Sequence, residues 1–171
     1  MEDLVAEQER IQPSVDEDRV VERPAAESVG AEVDPVQIEL IRSRMLALPP
    51  ERFEHLVKDV LVHSGFADVH VTRYSQDGGI DVTALAGRSM WPFRDLLVQI
   101  QAKRWLHTVG RKEVAELRGS LHPHARGAVV TTSQFSRAAL GEATDAGKQP
   151  IVLVDGFDFS RIVSQYRIAV E

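Results

Sequence analysis

The chain has 171 residues, a formal net charge of −6 and no cysteine. That length supports one ordinary domain with a real core, and the missing cysteine excludes disulfides and thiolate zinc sites while fitting a reducing cytoplasm. No apolar stretch approaches the ~20 residues of a membrane span, and Met1-Glu2-Asp3-Leu4 lacks the basic-then-apolar opening of a secretory signal.

Charge divides the chain at its first boundary. Residues 1–34 carry eleven Asp/Glu against three Arg, a net −8, whereas residues 35–171 carry fifteen against seventeen Lys/Arg, a net +2. Prolines at 13, 24 and 35 and few large apolar residues make 1–34 a disordered, solubilising or linker segment in expectation. A sharper reading is an acidic arm that competes with phosphates for a basic face or docks a partner. The body, 35–171, is mildly basic and permits nucleic-acid binding without demanding it.

Along the body, a helix is predicted from Pro35 to Ala47, with Ile38, Ile41 and Met45 on one stripe and Pro49-Pro50 ending it. A second helix, Glu51–Ser64, places Phe53, Leu56, Val57, Val60 and Leu61 on one face, with Gly65 as its C-terminal cap. Strands follow near 68–74, 80–86 and 96–104. A helix near Arg111–Leu121 turns Val114 and Leu117 inward, the strand Ala128–Thr132 comes next, then a helix near Ser136–Ala146. A short buried strand, Ile151–Val154, and a last helix, Phe157–Tyr166, close the chain. Stripped to its core the order is α-β-β-β-α-β-α-β, an α/β plan with a mixed central sheet flanked by helices.

Chemistry concentrates in Gly78-Gly79-Ile80-Asp81-Val82 and Val98-Gln99-Ile100-Gln101-Ala102-Lys103. Ile80, Val82, Ala84 and Ala86 take one face of the first run and leave Asp81 on the other. Gln99, Gln101 and Lys103 likewise share a face, because side chains two apart in a strand point the same way. A hairpin symmetric about Pro92 sets Asp81 across from Lys103, with Cβ atoms roughly 5 Å apart. A carboxylate, an amide and an ammonium gathered at one sheet end can hold a divalent metal, a water and a phosphate together. A plain cross-strand ion pair on a solvated face is the alternative. Two features weigh against it: the Asp77-Gly78-Gly79 turn, which permits close backbone approach, and a fold plan in which both sheet faces are covered.

Other motifs carry less. Gly141 to Gly147-Lys148 misses the phosphate-loop spacing, lacks the following Ser/Thr and ends a helix. His122-Pro-His124 is a bare H-x-H in a loop. With no G-x-S-x-G and no cysteine, acyl-transfer chemistry has little support. Thr131, Thr132 and Ser133 stand where a strand feeds a helix, and either a phosphate contact or helix capping suits them. Arg73, Arg104, Arg111 and Lys112 are the candidate DNA-backbone contacts; cations at a helix start, such as Arg111 and Lys112, are disfavoured by the helix dipole unless an anion approaches. Trp105 and His107 stand ready to stack on a base, while Trp105 equally suits covering the core.

Residues 53–140 resemble the Mrr-like restriction endonuclease domain, a branch of the PD-(D/E)xK nucleases. The resemblance rests on Phe53-Glu54, Ser64-Gly65-Phe66, Asp77-Gly78-Gly79-Ile80-Asp81, Gln101-Ala102-Lys103-Arg104 and Thr131-Thr132-Ser133-Gln134-Phe135-Ser136, in that order. Gln in the xK motif fits this branch; the bulky Trp105 and a long connector with Trp91 and Phe93 are modest departures. The resemblance implies a restriction-endonuclease-like fold and a Mg²⁺-dependent DNA endonuclease, with Mn²⁺ as a substitute, acting in restriction or anti-phage defence. Asp81 would be the principal metal carboxylate. Gln101 would ligate through its side-chain oxygen or hold a water, the Ala102 carbonyl would add an oxygen, and Glu54 would supply a further carboxylate. Lys103 would orient or deprotonate the attacking water, with the 3′ oxygen leaving and a 5′ phosphate as product. DNA is the expected partner. A homodimer or a partner subunit would supply specificity, since no helix-turn-helix is evident. The rival readings are a Holliday-junction resolvase or nickase on the same core, and a catalytically silent DNA-binding or assembly module.

Overall fold

A computed structural model of the chain describes residues 34–72 and 79–171. Two helices, α1 (Pro35–Ala47) and α2 (Pro50–His63), lead into β1 (Ala67–Val71), β2 (Val82–Leu85) and β3 (Leu97–Lys103). They are followed by α3 (Arg111–Ser120), β4 (Arg126–Thr131), α4 (Arg137–Ala143), β5 (Ile151–Val154) and α5 (Gly156–Gln165). From α2 onward this is the anticipated α-β-β-β-α-β-α-β order. The strands form one sheet in chain order: β1, β2 and β3 pair antiparallel, while β4 and β5 join in parallel. The two parallel pairings need crossovers, and α3 and α4 provide them.

Local chemistry sets the helix ends. The Asp34 carboxylate accepts the Val36 N–H ahead of Pro35, and Pro50 opens α2 where its missing donor costs nothing. At the end of α2, Gly65 takes φ +89°; its N–H donates to the Val62 carbonyl and that of Phe66 to Leu61, the Schellman closure that Gly65 was expected to make.

The sheet is covered on both faces. On one, α1, α2 and α5 bring Met45, Phe53, Leu56, Val57, Phe159 and Val163 against Val82, Ala84, Ile100, Ala128 and Val130. Phe53 is fully buried with its ring edge-on to Phe159 at 5.7 Å, so truncation to Ala would cost ~3–5 kcal/mol. On the other face, α3 and α4 bring Val114, Leu117, Ala139 and Ala143 against Val129 and Ile151. Within β4, Ala128 and Val130 face one core and Val129 the other, the period of two that a doubly covered strand requires.

Two details of the hairpin reading change. The ladder pairs Val82 with Ile100 and Leu85 with Leu97, two residues off the partners that Pro92-centred symmetry gives. The ladder ends at Val82, and Asp81 is held by the Ile100 carbonyl and the Ala102 N–H of β3, short of Lys103. The cause is the connector, which winds through a 3₁₀ turn at Arg88–Met90 and two further tight turns closing Phe93 on Met90 and Leu96 on Phe93. In addition, Ile80 does not share a face with Val82: it packs into the α3–α4 core, because the strand begins only at Val82. The segment 1–33, Arg73, Asp77 and Gly78 lie outside the described residues.

Candidate active site

Asp81 stands at the mouth of β2 and is fastened through its backbone on both sides. Its N–H donates to the Ile100 carbonyl (2.9 Å), and its carbonyl accepts the Thr72 N–H (2.9 Å). Its carboxylate crosses to β3, where Oδ2 accepts the Ala102 N–H at 2.7 Å. Burial pushes the carboxyl above the ordinary range, outweighing the Ala102 hydrogen bond and the nearby Lys103 charge. Glu54, projecting from α2, is also raised: first by burial, then by the charge of Asp81, then by Glu51. The charge of Asp81 thus reaches a second carboxylate on a different element.

Gln101 is 7 % exposed, and its Oε1 is buried with no hydrogen-bond partner among the described residues. A buried amide oxygen without a partner is costly, which singles this atom out. Gly79 explains how the amide is lodged. It holds φ +85°, and a Cβ built there would lie 2.2 Å from Gln101 Nε2. Only glycine meets both demands, which gives the close approach inferred from the Gly-Gly turn a definite address.

Lys103 ends β3. Its carbonyl accepts from Thr131 Oγ1 (2.8 Å), from the Thr132 N–H (3.3 Å) and from the Trp105 N–H (2.9 Å). Its ammonium lies 4.1 Å from the centre of the Trp105 ring. Burial lowers the pKa of Lys103, against the upward pull of Glu113, Asp81 and Glu116 in that order. The arrangement is a half-buried amine whose proton is held less firmly than in water, beside a carboxylate that is itself reluctant to ionise.

Other sequence-predicted contacts move. Thr132 and Ser133 are buried, and their hydroxyls donate to the carbonyls of Trp105 (2.9 Å) and Leu106 (3.4 Å), so neither is presented to a phosphate. Capping α4 falls to Ser136, whose Oγ accepts the Ala139 N–H. Arg104 points away from Lys103 along the strand and donates to the Leu46 carbonyl at the end of α1 (2.9 Å), tying that helix to the sheet. Arg111 does find an anion at the start of α3, but that anion is Glu142 (2.9 Å) of this chain. Lys112 is exposed and pairs with Glu116 at 3.6 Å. His122 and His124 hold their exposed rings 6.1 Å apart. Sequence reasoning missed Glu113 and Glu116 as neighbours of Lys103; their i, i+3 spacing on α3 was the available signal.

Could this site take a metal? Among the described residues no group of three His, Cys, Asp or Glu converges. A hard cation needs only one or two protein carboxylates and prefers oxygen. The Gln101 Oε1, unpartnered among the described residues, and the Asp81 carboxylate, whose charge Glu54 feels, are oxygen donors of that kind.

The comparison with known sequences decides the family: the restriction endonuclease family Mrr_cat matches residues 45–163. The chain belongs to the restriction endonuclease family. It is 33% identical over 137 residues to the Type IV methyl-directed restriction enzyme EcoKMrr of Escherichia coli strain K12, a match covering 76% of this chain and 43% of that protein. The chain therefore spans less than half the length of that relative. Among solved structures, the DNA modification-dependent restriction endonuclease AspBHI superposes with a TM-score of 0.62 at 27% identity, over 88% of this chain and 40% of its own. The MspJI restriction endonuclease in complex with a 27-mer oligonucleotide gives 0.61 at 22% identity, over 88% of this chain and 36% of its own; that likeness speaks to the fold alone. The mixed sheet with helices on both faces is thus the restriction-endonuclease fold anticipated from the motifs. Among the described residues no helix is long and apolar enough to cross a membrane.

Proposed function

We propose that residues 35–171 form a Mg²⁺-dependent DNA endonuclease unit serving restriction or anti-phage defence in the cytoplasm. Mn²⁺ is a workable substitute, and the acidic segment 1–34 is an appendage to that unit. The observation that carries this reading is the buried, unpartnered Gln101 Oε1 set beside Asp81 at the sheet end where Lys103 finishes β3. Asp81 and the Gln101 oxygen would hold the cation, joined by the Ala102 carbonyl and, less directly, by Glu54. Bound there, the metal would polarise a phosphoryl oxygen and ease deprotonation of water. Lys103 orients the attacking water and offsets phosphate charge, with the 3′ oxygen as leaving group and a 5′ phosphate as product. Lys112 and Arg111, exposed at the start of α3, are the remaining candidates for backbone contact, with Arg111 already shared with Glu142. A homodimer or partner subunit would pair two such sites, because one compact site cuts one strand. EcoKMrr and AspBHI are named for methyl-directed and modification-dependent restriction, so modified DNA belongs among the substrates tested.

The test is cleavage of linear, supercoiled and branched DNA, methylated and unmethylated, with Mg²⁺ or Mn²⁺. The parent is compared with Asp81→Ala and Lys103→Ala. Cutting by the parent alone supports the reading. Equal cutting by all three points to a contaminant, and preference for branched or singly cut DNA would favour a resolvase or nickase. No cutting by the parent on any substrate would favour a silent DNA-binding module.

A further inference from the structure

We infer that Trp105 is a positioning residue for Lys103. This rests on the nuclease reading above and extends it to a residue that touches neither carboxylate. Lysine carries its charge on a flexible four-carbon stem, so its useful geometry has to be imposed from outside. Among the described residues no carboxylate is paired with the Lys103 ammonium; Asp81, Glu113 and Glu116 act on it only through their fields. What it does contact is the indole of Trp105, at 4.1 Å from the ring centre, within the range of a cation–π interaction.

The indole is itself held in place. The Trp105 carbonyl accepts the hydroxyl of the fully buried Thr132 (2.9 Å), and its N–H donates to the Lys103 carbonyl (2.9 Å). Its ring packs, partly buried, against the core that contains Val109, Val114 and Leu117. The His107 ring stacks on it with centroids 4.3 Å apart and planes 28° from parallel. The indole, stacked by the imidazole and anchored through its main chain by the buried threonine, thus forms a braced wall, and the ammonium rests against it beside the sheet end that carries Asp81 and Gln101. Removing the wall would let the amine spread over several rotamers and lower the fraction in reacting geometry. The rival role, in which Trp105 stacks on a DNA base, predicts a loss of affinity instead.

Trp105→Leu keeps apolar bulk and removes the ring face, while Trp105→Phe keeps a ring. Steady-state cleavage with Mg²⁺ gives kcat and KM. In parallel, NMR of the full chain reads the Lys103 Hε protons, assigned through Lys103→Arg, which the indole ring current should shift upfield. The expected result is a roughly ten-fold fall in kcat for Trp105→Leu with KM within about two-fold, loss of the upfield shift, and recovery of most of both in Trp105→Phe. Unchanged kcat, a rise in KM in place of the fall in kcat, or no upfield shift in the parent would each overturn the inference while leaving the nuclease reading intact. No cleavage by the parent on any DNA would defeat both.

Discussion

Glu142 and Asp81 are both carboxylates drawn out of water, and the fold treats them in opposite ways. The Glu142 side chain is 4 % exposed and is met by Arg111 (2.9 Å), by both of its contacts with Lys148 (2.9 and 3.0 Å) and by Arg118. Hydrogen bonds from Lys148 and then Arg111 lead the causes that pull its pKa down to about 2. This cluster joins α3 to α4 and to the loop entering β5. Among the described residues the Asp81 carboxylate accepts one backbone hydrogen bond; it has a raised pKa, its charge reaches a second carboxylate, and β3 beside it carries an orphaned amide oxygen. One region spends cations on stability. The other tolerates unsatisfied polar groups, and clusters of that kind are concentrated at functional sites.

The sharpest break of this contrast is chemical. Asp81→Asn and Lys103→Ala should each lower the DNA cleavage rate by about 10³-fold or more while leaving the melting midpoint near that of the parent, since Asn keeps an acceptor for the Ala102 N–H and burial disfavours both charges. A rate loss that tracked a fallen Tm would make this region structural too. Next comes Gly79→Ala. Its φ of +85° and the 2.2 Å approach to Gln101 Nε2 predict ~1–2 kcal/mol of destabilisation, together with roughly ten-fold slower cleavage as the Gln101 amide is displaced. Chemical denaturation and initial rates check the two parts.

Glu142→Gln should do the reverse of Asp81→Asn: a melting midpoint lower by about 5 °C, with cleavage per folded molecule unchanged. The same residue gives a pH signature. Its folded pKa lies below the ordinary 4.5, so its contribution is fully present above 4.5 and is lost as pH falls towards about 2. A thermal scan over that window should show a steep decline in the parent and a shallower one in Glu142→Gln. Asp81 has the opposite sign: with its folded pKa raised, ionising it costs the folded state, and that region gains stability as pH falls through the raised value. The smallest effect belongs to Lys112→Ala. Stability should stay within ~0.5 kcal/mol, and the salt slope of DNA binding should fall by about one if Lys112 meets a phosphate. An unchanged slope would remove Lys112 from the interface.

Much of the molecule was legible in the residue order. The Pro-bounded α1, the amphipathic α2 with its Gly65 cap, and the inward Val114 and Leu117 follow from period and punctuation, which are local properties. So does the shared face of Gln101 and Lys103, because a period of two is intrinsic to a strand. The hairpin register was not legible: it depends on how the eleven residues between Leu85 and Leu97 wind, through the 3₁₀ turn at Arg88–Met90. The fates of Thr132, Ser133, Arg104 and Arg111 were hidden for a related reason. Each has a donor that suits a phosphate, and only the packed neighbours reveal that a carbonyl of Trp105, Leu106 or Leu46, or the carboxylate of Glu142, has already taken it.

By itself, then, the amino-acid order determined the α/β plan, the two cores and the identity of the polar residues set among them, since periodicity and turn chemistry act over a few positions. Tertiary structure alone decided which of those polar groups are spoken for. It fastened Asp81 to the Ala102 N–H and seated Lys103 against Trp105, because hydrogen-bond satisfaction is settled by groups that meet across elements, and their separation along the chain says nothing of that meeting.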